Sequence, residues 1–405
     1  MTSSFTKVFE QVGQLHKTDD DLIDRLNHRF TVILLVTFTT FISAKQFVGE
    51  PISCWTPAHF SGSQISYTNS ICWLKGTYYL EVDQKLIPHR TENPEFRVAY
   101  YQFIPYMLLA MAVLFYLPHM LWRTLSRSIG FDLRSLIRDT KQGSEDDINR
   151  VASQIHTTLK YNSSKYVHHR YKSNNHLGKF FQCSILRQNF LCSLYLFVKL
   201  LYMLNCLCQF YLLSQFLSFS FLEFGYEWLV TITKNLNRKP NTEPKDSKWF
   251  PRVVMCEFMV RHLGSNQHGM VIQCNLPINL FNELIFVILW GWLISLTVLT
   301  CVSFILCLIT IYSSIGSRFL DKYLHMIAPE LRTNEQDDFI NNYLRQDGIL
   351  VLRIIAQNTN DTLMATLVGS LLSSYSYSIE QENKDNDNHT RVPSSGDYLR
   401  INSRR

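Results

Sequence analysis

Between Tyr100 and Trp122 the chain lacks charge altogether: 23 residues contain no Asp, Glu, Lys or Arg. That gap excludes an ordinary surface helix, whose outer face must meet water with polar side chains. A helix rising about 1.5 Å per residue crosses a hydrocarbon layer of about 30 Å with about 20 apolar residues. The run YYQFIPYMLLAMAVLFYLPHMLW is long enough. Arg97 and Arg123 bound it, and Tyr100, Tyr101 and Trp122 lie at its ends, where amphipathic rings prefer the headgroup level. Pro105 and Pro118 lie inside it. Lipid offers the backbone no other partner, so such a helix survives prolines, and a kink is expected at Pro105 near its start.

Other absences exclude whole classes of chemistry. There is no P-loop, no G-x-S-x-G and no H-E-x-x-H, which removes the common phosphate, acyl-transfer and zinc-protease signatures. No tight C-x-x-C accompanies a matching His pair, which argues against structural zinc. The basic residues form no single stripe with aromatic platforms, so the net charge of +6 does not point to nucleic acid. The start of the chain has no basic segment leading into a short cleavable apolar run, so no signal peptide is expected. No fixed-period repeat is present. No enzyme, cofactor or metal site is therefore expected.

What the chain does have is segregation. Overall it is 46% hydrophobic and 18% charged, values that suit a soluble protein. Charge-free runs nevertheless alternate with polar segments. They predict four spans: Phe30 to Val48, Tyr100 to Trp122, Phe190 to Phe221 and Phe281 to Tyr312. Lys45 near the end of the first is expected to snorkel outward. Lys199 lies a third of the way along the third, where it needs water, a carboxylate or the interface; snorkelling is the expected outcome. The resulting segments are 1–28 (N-terminal), 29–48 (first span), 49–98 (first loop), 99–122 (second span), 123–188 (middle segment), 189–221 (third span), 222–280 (second loop), 281–312 (fourth span), 313–368 (helix-patterned) and 369–405 (a polar, flexible tail). Thr18 with Asp19, Asp20 and Asp21 is expected to cap the helix leading into the first span.

Lys and Arg counts orient the spans. The segment from Arg123 to Arg187 holds twelve and Ser313 to Arg405 ten, against four in the first loop and seven in the second. The positive-inside rule then places both termini and the middle segment in the cytoplasm and both loops outside. The ten cysteines agree with this. Cys54 and Cys72 fall in the first loop, Cys256 and Cys274 in the second, each pair separated by 17 residues. Cys192, Cys206, Cys208, Cys301 and Cys307 lie in apolar runs, where a thiol behaves as a small hydrophobe, and Cys183 just precedes one. An even set in an oxidising compartment reads as disulfides, and spacing alone leaves all three pairings open. The sequons at Asn162, Asn360 and Asn388 all fall on the cytoplasmic side and neither loop has one. His168, His169 and His176 form a cluster, but in a polar loop that reads as solvated.

These segments carry a specific resemblance. Tyr100-Tyr101-Gln102-Phe103-Ile104-Pro105 is similar to the Tyr-Tyr-Gln-Trp-x-Pro signature of the innexins, the invertebrate gap-junction family, with Phe103 where the family has Trp. Gly49 to Pro57, GEPISCWTP, resembles Gly-x-Pro-Ile-x-Cys-Trp-x-Pro, and Phe250 to Phe258, FPRVVMCEF, resembles Phe-Pro-Arg-Val-Thr-x-Cys-Asp-Phe. Asn279 to Trp292 resembles the family's start of the fourth span.

The resemblance implies an all-α membrane protein with four transmembrane helices, two disulfide-stapled extracellular loops and a helical cytoplasmic dome. It implies pairing of Cys54 with Cys274 and of Cys72 with Cys256, and a buried structural aromatic at Phe103. It implies a ring of subunits, typically eight, alone or mixed with other innexins, docking with a ring in the apposed cell at the plasma membrane. It also implies that the N-terminal segment enters the pore, with Thr2, Ser3, Ser4 and Phe5 lining it. The expected function is passage of ions and small molecules between cells. The alternatives are an undocked, pannexin-like hemichannel and a four-span junctional scaffold. Against the scaffold, the Cys-Cys-Gly signature of tetraspanins is absent.

Overall fold

The computed structural model describes residues 21–79, 97–98, 100–170, 189–236, 249–261, 264, 266–312, 315–330 and 332–390. Thr2, Ser3, Ser4, Phe5, the Thr18 to Asp20 cap, His176 and Cys183 lie outside them. Among the described residues, four helices are long and apolar enough to cross a membrane: α1 (Leu22–Val48), α3 (Ile104–Ser128), α6 (Phe190–Leu217) and α8, which runs Ile278–Tyr312. The described residues group into two compact units. One comprises Ile23–Met120 and Lys199–Ser303; the other is built on Leu121–Val198 and the chain from Phe304.

In the first unit, α1 begins eight residues before the expected Phe30. Polar Asp24, Asn27 and His28 are buried inside it, so hydropathy alone placed the boundary too late. Asp21 Oδ1 accepts the Leu22 N–H at 2.8 Å and so caps the helix. A π turn, Leu26–Phe30, follows, and the Thr31 hydroxyl donates back to the Leu26 carbonyl at 2.8 Å. The expected kink at Pro105 is absent. The preceding residues Tyr100–Gln102 form a 3₁₀ turn and α3 starts at Ile104, so the proline occupies the first helical turn, where its missing N–H costs no bond. Pro118 is the proline inside that helix.

Span three ends earlier than expected, at Leu217. Ser218 takes φ 62°, a left-handed conformation that breaks the helix, and the Ser214 hydroxyl accepts the Phe221 N–H at 3.0 Å to start α7 (Phe221–Leu236). The close approach of α7 to α8 requires Gly225, whose absent Cβ would lie 2.1 Å from the Trp290 ring. Phe221, Phe224, Phe250 and Phe286 fill the space around it as a buried aromatic cluster.

The two loops hold structure that the sequence reading missed. They contain α2 (Gly62–Lys75) and the strands β1 (Ser53–Cys54), β2 (Thr77–Tyr78), β3 (Arg97–Val98), β4 (Val253–Arg261) and β5 (Gln267–Asn275). These form one antiparallel sheet in the order β1-β5-β4-β2-β3. Val254, Cys256 and Phe258 alternate inward along β4, the period of a half-buried strand.

The second unit is helical. The helices are α4 (Leu133–Gln142), α5 (Glu145–Arg170), α9 (Ile315–Ile327), α10 (Thr333–Asp338), α11 (Arg345–Ala356) and α12 (Asp361–Thr390), with a π turn at Phe339–Leu344 between α10 and α11. Glu145, Asp146 and Asp147 in the first turn of α5 complement its dipole. α11 is buried over most of its surface, through Ile349, Val351, Leu352, Ile354 and Ile355. α12 turns Met364, Leu367, Val368 and Leu371 inward, an i, i+3, i+4, i+7 stripe. Over 369–390 the expected flexible tail is corrected, because the helix continues to Thr390; residues 391–405 of that tail lie outside the described residues. Gly369 itself abuts the Ile327 side chain of α9, at 3.4 Å from where its Cβ would stand.

Candidate functional site

The sheet is where the chain's distant parts meet. β1 pairs with β5 so that Cys54 stands opposite Cys274, and these two are joined by a disulfide. Cys72 of α2 is joined to Cys256 of β4. The bridges cross sequence separations of 220 and 184 residues, so each ties the first loop to the second. The Cys54, Cys72 and Cys274 sulfurs lie within 4.8 Å of one another. As disulfide sulfurs they offer no thiolate, and thiolate is the form that binds zinc. The Asn69 side chain accepts the Cys54 N–H at 3.1 Å, and Lys75 Nζ donates to the Glu257 carbonyl at 2.8 Å. These bonds fix α2 against both β1 and β4. Trp55, next to the first bridge, donates its backbone N–H to the Gln273 carbonyl at 2.8 Å, and its ring is 85% exposed.

The residues before span two lock this platform to the helices. Tyr101 is fully buried, its ring 4.7 Å from Trp73, and its hydroxyl donates to the Trp73 carbonyl at 3.4 Å. Gln102 donates to the same carbonyl. The Tyr100 hydroxyl reaches the Trp249 carbonyl at 3.2 Å. Gln46, at the end of α1, donates to the Tyr101 carbonyl at 2.9 Å. Arg252 pairs with Glu283 at 3.3 Å, and Asn279 donates to the Pro251 carbonyl at 2.8 Å, which joins β4 to α8. Phe103 breaks the expectation. It is 55% exposed rather than buried, because the 3₁₀ turn points Tyr101 inward and leaves residue 103 on the outside.

Inside the spans a second polar layer lies buried. Lys199 Nζ meets Asp24 Oδ1 at 2.8 Å and donates to Ser303 Oγ at 2.8 Å. The snorkelling expected of Lys199 is therefore corrected: its side chain is 2% exposed and its charge is met by a carboxylate. Asn27 donates to Thr300 Oγ1 at 3.0 Å and accepts from the Cys206 thiol at 3.3 Å. His28 and His119 stack with ring centroids 4.0 Å apart. Trp292 Nε1 donates to Thr31 Oγ1 at 2.9 Å. Lys45 stands 4.9 Å over the Phe281 ring. Hydropathy flagged Lys199; Asp24 and Asn27 stand beside Arg25, His28 and Arg29 in the polar stretch before the first apolar run, and Thr300 is a single hydroxyl in an apolar one, so none gave a separate signal. None of these groups is arranged as a nucleophile with its base. The arrangement positions helices and a rigid, disulfide-braced surface.

Comparison with known proteins decides what this assembly is. The family model described as Innexin matches residues 20–375. The chain belongs to the innexin family. Innexin unc-9 of Caenorhabditis elegans is 34% identical over 371 residues, covering 89% of this chain and 93% of that protein. Innexin-19 of the same organism is 31% identical over 384 residues, covering 87% and 83%. Innexin-12, also from that organism, is 32% identical over 376 residues, covering 86% and 87%. The signature Tyr100, Tyr101, Gln102 and Pro105 of this innexin is thus the joint between span two and the stapled sheet.

Proposed function

We infer that this innexin is a subunit of a gap-junction channel that passes ions and small molecules between adjacent cells, and that it is a channel protein rather than an enzyme. The observation that carries the reading is the family match over nearly the whole chain, together with two bridges that make one rigid platform from both loops. A braced surface suits docking, because binding then orders fewer groups. The Lys and Arg distribution supports loops outside, termini inside and a multi-pass protein of the plasma membrane. Subunits assemble as a ring, alone or with other innexins, which docks to a ring in the apposed membrane; eight subunits is the expected number. A conduit wide enough for small molecules is expected between subunits rather than inside one bundle of four helices. Thr2, Ser3, Ser4 and Phe5 line its narrow part, because a polar segment preceding span one is unsuited to lipid.

The test is transfer of a small fluorescent dye between paired cells that lack other junction proteins. Transfer between two expressing cells, and none when only one expresses, supports a docked channel. Dye uptake by single cells without transfer between pairs replaces this reading with an undocked pore.

A further inference from the structure

The helical unit carries a carboxylate that the channel reading does not use. Asp347, on α11, is 9% exposed, and both of its oxygens are turned onto the start of span three. Oδ1 accepts the Cys192 N–H at 2.9 Å and Oδ2 accepts the Leu191 N–H at 3.2 Å, across 155 and 156 residues of sequence. The first N–H groups of a helix have no partner within it, so a side chain from elsewhere serves as their acceptor here. The joint leading into α11 is strained. Arg345, not a glycine, takes φ 54° between the π turn and the helix. Its Nε donates to the Asn342 carbonyl at 3.2 Å. Gly348 leaves room for only a tight contact with Leu344, at 3.1 Å from an added Cβ.

We propose that Asp347 is a releasable catch that holds α11 on the N-terminus of span three, and that its charge state sets how firmly the catch holds. Two bonds favour the docked position, while a desolvated carboxylate and a strained joint oppose it. Burial pushes the carboxyl up from 3.8 to about 6; the Cys192 and Leu191 N–H groups and Arg345 oppose that shift. Arg345 on its own helix and the Cys192 thiol on α6 are the charged or titratable groups that bear on it. Tyr343 of the π turn is engaged with His156 of α5 at 2.6 Å. α4, α9 and α12 also pack on α11, and none of their residues is among the groups that shift the Asp347 carboxyl.

The sign follows from the raised value. The docked form binds the proton more tightly than a released, solvated form, so acid favours docking and rising pH through about 6 weakens it. Between pH 7.5 and pH 5 the docked-to-released ratio rises about ten-fold, from ordinary values near 3.8 and docked values near 6.

Hydrogen exchange of the full-length protein in detergent reads this directly, corrected for the intrinsic rate and followed on peptides from residues 345–356. In the wild type, protection is expected to be about ten-fold greater at pH 5 than at pH 7.5. Asp347→Asn, which cannot ionise and keeps one of the two acceptor oxygens, is expected to show no dependence of protection on pH. Equal wild-type protection at both pH values overturns the proposal. A pH slope that survives in Asp347→Asn assigns the titration to His156 and also overturns it. If the variant does not fold, His156→Gln separates the two groups: a wild-type-like slope in it supports the assignment to Asp347, and loss of the slope overturns it.

Discussion

A lysine inside an apolar helix must reach water, the interface or a carboxylate. Lys199 finds Asp24, from a helix turn that hydropathy had left outside the first span. The pair is fully desolvated, so its value depends on both partners being present. Lys199→Ala is expected to destabilise the protein by about 3–5 kcal/mol, because it leaves Asp24 charged in an apolar setting. Lys199→Met combined with Asp24→Leu is expected to recover most of that loss, since a well-packed apolar pair often replaces a buried ion pair at little cost. Thermal unfolding of the two variants in detergent checks this; equal loss in both would mean that Lys199 acts through packing alone. The sequence made the lysine legible and its partner not, because Asp24 stands in the polar stretch DDDLIDRLNHR, which hydropathy leaves outside the first span. The same holds for Asn27 and Thr300, which are 273 residues apart and bonded at 3.0 Å.

At the scale of elements, the spans were the most legible part, since charge-free runs need no tertiary information. Their ends were not. Span one was shortened by its buried polar turn, and span three was lengthened across the break at Ser218. The sheet escaped notice although β4 alternates Val254, Cys256 and Phe258 inward, because its partners lie in another loop and three of its strands have only two residues. The signature before span two was legible as a motif but not as geometry. Tyr101 is its inward residue and Phe103 its outward one. Tyr101→Ala is therefore expected to cost about 3–5 kcal/mol through the cavity beside Trp73. Phe103→Ala is expected to change the stability of the isolated subunit by no more than about 0.5 kcal/mol. Melting temperatures of the two detergent-solubilised variants separate the cases. A large loss for Phe103→Ala would mean that its exposed ring is covered within the assembled ring of subunits.

At the scale of the whole molecule, the two loops are joined into one surface by the bridges. Each typically contributes about 2–4 kcal/mol, chiefly by restricting the unfolded chain. Their larger consequence is geometric: with Cys54 tied to Cys274 and Cys72 tied to Cys256, neither loop moves without the other. Charge bias predicts that this platform lies outside the cell, and the disulfides point the same way, because the cytosol keeps thiols reduced. A membrane-impermeant phosphine followed by an impermeant maleimide tests both statements on intact cells. Expected is labelling that depends on prior reduction, mapped by mass spectrometry to Cys54, Cys72, Cys256 and Cys274. The free Cys192 and Cys206, buried in their helices, are expected to stay unlabelled. Single cells reduced in this way and then paired should transfer less dye than untreated pairs, since a loosened platform must be ordered again on docking. Labelling without reduction would show that the sulfurs are free thiols. No labelling until the membrane is permeabilised would place the platform inside, and the orientation read from Lys and Arg would have to be reversed.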